Sequence, residues 1–139
     1  LQGREAAPQA FASACIEAQD TQSDFVQALS RSLAASGVRL EGDPARAEAI
    51  VRVSRDEVKE RVLSVSARNI PREYELAYRV EFSVQKGGAE LLAPREVLLS
   101  RDFTFDETIL LAKEREQRLL EDALARDLAA IVMRQLAAL

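Results

Sequence analysis

The sequence contains no histidine, no tryptophan and a single cysteine, Cys15. Without histidine the chain lacks the commonest general base near neutral pH and the commonest zinc ligand. One cysteine excludes an internal disulfide and any multi-cysteine metal site. No apolar run approaches the ~20 residues that a transmembrane helix requires, and none has the make-up of a signal peptide's apolar stretch. A basic excess is lacking too: 19 Lys and Arg stand against 23 Asp and Glu, a net charge of −4. That balance argues against nucleic acid as a partner, while leaving room for a local basic patch that grips an anion. No nucleophile motif, phosphate loop or metal-ligand spacing is present. No cofactor or metal is therefore expected, and an enzyme would need a site assembled from scattered carboxylates.

Aromatics make up only 5% of the 139 residues, so the core must be built from Leu, Val, Ile and Ala. The length suits one domain spanning 1–139. Ala12-Ser13-Ala14-Cys15 bears a slight likeness to a lipoprotein cleavage box. However, Arg4 and Glu5 interrupt the stretch before it where an apolar segment should lie. Cys15 is instead expected as a small buried strand residue, the usual state of a free cysteine.

Hydrophobic periodicity divides the chain into closely spaced elements. Residues 10–18 read as a strand of small and apolar residues. Asp20 to Ser23 offer helix caps, and Phe25, Val26, Leu29 and Leu33 recur at helical spacing up to Gly37, predicting a helix over 22–36. Asp43-Pro44 predicts a single helical turn over 44–48. A strand from Ile50 to about Ser66 changes parity between Val51/Val53 and Val58/Val62, so a bulge or bend is expected near 56–61. Residues 73–85 alternate cleanly. Tyr74, Leu76, Tyr78, Val80, Phe82 and Val84 share one face, opposite Glu73, Glu75, Arg79 and Glu81. Lys86-Gly87-Gly88 forms a hairpin turn. A strand over 95–105 follows, with Pro94 at its start and Val97, Leu99, Phe103 and Phe105 inward. Asp106 caps a helix over 107–138, near 45 Å long at ~1.5 Å per residue. Its apolar stripe is Leu120, Leu124, Leu128 and Ile131.

The order β-α-β-β-β-α, with a crossover that favours parallel pairing of the first two strands, predicts an α+β two-layer sandwich. Its sheet would be mixed and four-stranded, with both helices packed on one face. The polar sheet face could meet a polar surface or simply water; the pattern is the same for both.

Several segments, in order, resemble the LptE family of lipopolysaccharide-assembly lipoproteins. They are Leu1-Gln2-Gly3, Asp20 with the helix ending Ser36-Gly37-Val38, Arg68-Asn69 before Glu73-Tyr74-Glu75-Leu76, and above all Arg101 to Asp106 leading into Leu111-Ala112-Lys113-Glu114-Arg115-Glu116-Gln117. The resemblance covers nearly the whole chain. It implies a lipid-anchored protein on the periplasmic side of the outer membrane, with a lipidated cysteine upstream of Leu1 and residues 1–9 as the segment after the anchor. It implies that the chain binds the LptD β-barrel, plugs and helps assemble it, and binds lipopolysaccharide. Two positions match basic sites linked to lipopolysaccharide in the family: Arg68, in the loop 67–71, and Lys113, early in the last helix. Arg72 is the fallback for Arg68, because this loop does not carry the family's common Gly-containing turn. Arg115 and Arg118 are weaker candidates, interleaved with Glu114 and Glu116. Strands two and four of the meander run parallel, so Arg68 and Lys113 are expected at the same end of the sheet. The alternatives are a different periplasmic auxiliary lipoprotein or small-ligand carrier, and an enzyme.

Overall fold

The computed structural model describes residues 7–104 and 110–139, with the side chains of Leu110 and Leu111 left out. The elements in chain order are β1 (Ser13–Ala18), α1 (Asp24–Ala35), β2 (Arg39–Leu40), a 3-10 turn (Pro44–Arg46), β3 (Ala49–Val65), β4 (Pro71–Lys86), β5 (Ala89–Thr104) and α2 (Leu110–Ala137). The sheet is mixed and five-stranded, ordered β2-β1-β3-β4-β5. The expected four strands are corrected to five by β2, a two-residue strand pairing in parallel with β1 at the edge. Strand β1 also runs parallel to β3, and β3-β4-β5 is an antiparallel meander.

Local chemistry explains the elements. Ser23, in extended backbone, accepts the Val26 amide and caps α1. Gly37 sits at φ 99° and ends the helix. The Val38 amide returns to the Leu33 carbonyl and the Gly37 amide to that of Ala34, the paired bonds that close a helix over a left-handed glycine. Asp43 accepts the Ala45 amide ahead of Pro44, as the cap-and-proline pair predicted.

The six alternating β4 residues from Tyr74 to Val84 are all buried. Cross-strand partners share their face: Val51 and Val53 from β3, and Leu92, Val97, Leu99 and Phe103 from β5. Both helices cover this face. Helix α2 contributes Leu124, Ala125, Leu128, Ala129, Val132, Met133 and Leu136 to the core, and α1 contributes Phe25, Val26, Ala28, Leu29 and Leu33. The expected stripe was right at Leu124 and Leu128, whereas Leu120 and Ile131 are only partly buried. Two polar ties bind the edge strand to α2, Arg101 to Asp127 and Arg95 to Gln135. Arg118 of α2 meets Asp24 of α1 at 3.9 Å.

Several expected boundaries move. The parity change in β3 comes from a register shift between Val53 and Arg55, with further shifts between Val62, Ser64 and Val65. The stretch 56–61, where the bulge was expected, is regular. Strand β5 starts at Ala89, six residues before the expected 95, so Pro94 lies inside it. The register shift opposite Ser83 accommodates that proline, on an edge strand where a missing donor is tolerated. Asp106 and Phe105 lie outside the described residues. Cys15 is buried as expected, but on the face away from the helices, where its thiol approaches the Gly42 carbonyl. Burial, then the charges of Glu17 and Asp43, push that thiol above its ordinary pKa, which favours the protonated form.

The start of β1 is fastened by Glu48. Its carboxylate accepts the Ala12 amide at 2.5 Å and the Ser13 amide at 3.2 Å, while the Glu48 amide donates to Ser13 Oγ. The Ala12 bond, helped by the Ser13 bond and the charges of Lys86 and Arg39, outweighs desolvation and holds this carboxyl below its ordinary 4.5. A lowered native pKa contributes stability that is present above that ordinary value and lost as pH falls through the native one. Glu48→Gln should therefore be less stable than the parent at neutral pH. The gap should narrow below about pH 4.5 in urea melts taken across the acid range.

Candidate functional site

At 16 and 17 residues, β4 and β3 reach ~50 Å at about 3.3 Å per residue. The 12-residue α1 spans only ~18 Å. The β3–β4 ribbon therefore runs well past α1, with β5 paired beside β4 as far as Glu73 and the N-terminal part of α2 reaching it through Lys113.

The ribbon ends in the loop 66–70. The Ser66 amide donates to the Ile70 carbonyl and the Asn69 amide to that of Ser66, while Ser66 Oγ accepts the Arg68 and Ile70 amides. Asn69 takes φ 64°, the left-handed conformation that asparagine tolerates better than most residues. This turn presents Arg68 outward in solvent, and Arg72 is exposed where β4 begins. Neither has an ion-pair partner among the described residues.

Lys113 is held quite differently. Its Nζ lies 2.9 Å from Glu60 Oε1 and 4.4 Å from the centroid of the Tyr74 ring. Tyr74 stacks on Phe103 with ring centroids 5.3 Å apart. Burial alone would pull the ammonium's pKa down. The hydrogen bond and charge of Glu60, with Tyr74, outweigh it and hold the pKa above its ordinary value. Lys113 is thus fully charged at neutral pH and already engaged.

Arg68 and Lys113 do sit at the same end of the sheet, because Glu73 pairs with both Ser64 and Thr104. They do not touch. Tyr74, which carries Lys113, lies three residues beyond Pro71, ~10 Å along the strand, and Arg68 lies beyond that. Arg115 is exposed on α2. Arg118 faces Asp24 and Glu121, so it belongs to the contact between helices. Glu60 escaped the sequence reading as the partner of Lys113, although its parity with Val58 and Val62 places all three on the helix-facing side.

The opposite face carries ion pairs: Arg61 with Glu75 at 3.3 Å, Arg79 with Glu96 at 3.6 Å and Arg52 with Glu17 at 3.1 Å. Among the described residues no group of three or more His, Cys, Asp or Glu could hold a metal, and no helix is long and apolar enough to cross a membrane.

Fold and site together define a mixed-sheet α+β protein with a long ribbon whose exposed tip is basic. Residues 10–136 match the family described as LptE, lipopolysaccharide-assembly. The chain belongs to this family. Its structure is similar to the crystal structure of the rare lipoprotein B from Shewanella oneidensis, with TM-score 0.77, 25% identity and coverage of 91% of this chain and 94% of that one. It is also similar to the solution structure of an uncharacterized lipoprotein B from Nitrosomonas europaea, with TM-score 0.81, 26% identity and coverage of 99% and 89%. A minor lipoprotein from Acinetobacter baumannii shares the fold at 22% identity, TM-score 0.75, with 92% of each chain covered. No curated protein sequence matches the chain.

Proposed function

We propose that this protein is an outer-membrane component of lipopolysaccharide assembly, anchored by an N-terminal lipid on the periplasmic side. In this reading it binds and plugs the LptD barrel, helps it assemble, and binds lipopolysaccharide at the ribbon end carrying Arg68 and Lys113. The observation that carries the reading is the family match over 10–136. The chemistry agrees with it. Lipopolysaccharide bears phosphates; an exposed arginine offers bidentate donors, and a lysine offers a compact charge. The ion-paired outer face, with Glu73, Glu75, Arg79 and Glu81, suits a polar barrel lumen.

In this reading the two cations play different parts. Arg68 is open to solvent and meets the lipid first. Lys113 takes a phosphate only by exchanging Glu60 for it, so Glu60 competes with the ligand. Arg68→Asp with Lys113→Asp should lower lipopolysaccharide affinity by on the order of a hundredfold, since each reversal removes a charge-assisted contact and adds repulsion. Glu60→Gln should raise affinity. Titration of labelled lipopolysaccharide measures both, with thermal melts confirming folding. Unchanged affinity in the double variant would sink the assigned site. Failure of the lipid-anchored protein to co-purify with an LptD barrel would sink the barrel role.

A further inference from the structure

Segment 61–72 reads Arg-Val-Leu-Ser-Val-Ser-Ala-Arg-Asn-Ile-Pro-Arg, with three arginines and no acid in a chain of net charge −4. It forms the last strand residues of β3, the loop and the first residues of β4. Val62, Leu63, Val65 and Ile70 stand 47%, 41%, 50% and 37% exposed. Other large exposed apolar residues, such as Leu40, Leu91, Leu98 and Leu119, lie apart on separate elements. The concentration at the tip has a structural cause. Val62 keeps the helix-facing parity opposite Tyr74 but lies beyond α1, and the register shifts between Val62 and Ser64 and between Ser64 and Val65 take Leu63 and Val65 out of the alternation that elsewhere sends apolar side chains under the helices.

The acids that flank this segment are already engaged. Glu60 is bound to Lys113, Glu73 accepts from Ser64 Oγ, and Glu75 pairs with Arg61. What the tip offers a partner is aliphatic surface ringed by positive charge. No aromatic residue lies within 61–72, whereas protein-docking hot spots are rich in tryptophan and tyrosine. A contiguous exposed apolar patch marks a binding surface, and phosphate beside hydrocarbon is the chemistry of an anionic lipid. We infer that the ribbon tip is an acyl-chain site: Val62, Leu63, Val65 and Ile70 enter the hydrocarbon of lipopolysaccharide while Arg68 and Arg72 hold its phosphates. This rests on the lipopolysaccharide-binding reading above and adds a hydrophobic half to a site so far described by its cations.

The absence of tryptophan supplies a clean probe. Leu63→Trp in the otherwise unaltered chain places a single emitter at the tip. The probe surfaces are phosphatidylcholine vesicles alone, with lipopolysaccharide added, or with phosphatidylglycerol added. A blue shift and shielding from an aqueous quencher, seen only with lipopolysaccharide, is the expected result. An equal shift with phosphatidylglycerol would overturn the commitment to lipopolysaccharide. An unshifted emission while lipopolysaccharide still binds, and still depends on Arg68, would overturn the acyl-chain site yet leave the functional reading intact; no lipopolysaccharide binding at all would remove the reading itself. A second variant, Val62→Ser with Val65→Ser and Ile70→Ser, changes only exposed side chains. It should weaken lipopolysaccharide binding by on the order of tenfold or more through lost apolar burial. Unchanged affinity in this variant, or loss of barrel association with lipid binding intact, would reassign the tip away from lipid.

Discussion

Phe82→Ala should destabilise the protein by about 3–5 kcal/mol, the range for removing a fully buried aromatic side chain. Phe82 is fully buried on the central part of β4, in register with Val53 of β3 and Arg95 of β5. Strands on both sides and helices above leave the site little freedom to collapse, so the vacated volume remains largely as a cavity. Proteins of this size have about 5–15 kcal/mol in total, so the variant would fold only marginally. Urea unfolding followed by circular dichroism should show a much lower midpoint with an unchanged slope. Val58→Ala, on the same face but 36% exposed beyond α1, should cost less than about 1 kcal/mol. If the two variants proved equally mild, the helix-covered face would not be the stability core.

Asp56→Ala should cost about 2–3 kcal/mol, because it strips one carboxylate from two donors at once. The register shift after Val53 turns Asp56 onto the helix-facing side, in register with Val80. There Asp56 accepts from Ser23 Oγ, the cap of α1, and from the Tyr78 hydroxyl. That hydroxyl in turn accepts the Phe25 amide from the first turn of α1 at 3.1 Å. One acid on the sheet thus fixes the start of a helix through a serine and a tyrosine. Tyr78→Phe should cost about 1–2 kcal/mol by orphaning the buried Phe25 amide.

The Tyr78 contribution can be isolated by pH. Burial, then the hydrogen bond and charge of Asp56, raise the Tyr78 hydroxyl well above its ordinary 10.0. A raised native pKa gives stability that is fully present below about pH 10 and lost as pH rises, because the unfolded chain ionises first. The parent should therefore weaken in alkali more steeply than Tyr78→Phe. Parallel alkaline melting curves for the two proteins would show that the network does not hold this hydroxyl.

Much of this architecture was legible in the sequence where a period was strong. The β4 alternation named every inward residue from Tyr74 to Val84, and the cap run Asp20 to Ser23, Gly37 and Asp43-Pro44 marked real helix ends through cap chemistry, although the first helix starts at Asp24 and not at 22. Strand β2 was not legible, since two residues carry no period and both are exposed. The bulges were sensed as a change of parity but misplaced, because Ser54 and Leu63 look ordinary and only the partner strand reveals which residue is unpaired. Pro94 hid the first half of β5 by reading as a strand start, when an edge bulge accommodates it inside. Exposure of Arg68 followed from its turn residues. The Lys113–Glu60–Tyr74 contact did not, because it depends on where α2 lies against the ribbon.

The outer edge of the sheet bears on self-association. A 16-residue border strand presents unpaired backbone groups and is a template for another chain. In β5 the template is spoiled twice. Pro94 and its irregular register interrupt the hydrogen-bonding row, and Glu90, Arg95, Glu96, Arg101 and Asp102 spread charge of both signs along it. A second molecule approaching this border meets a broken ladder and mismatched charges, so fibril-like stacking of copies is disfavoured even when the protein is concentrated.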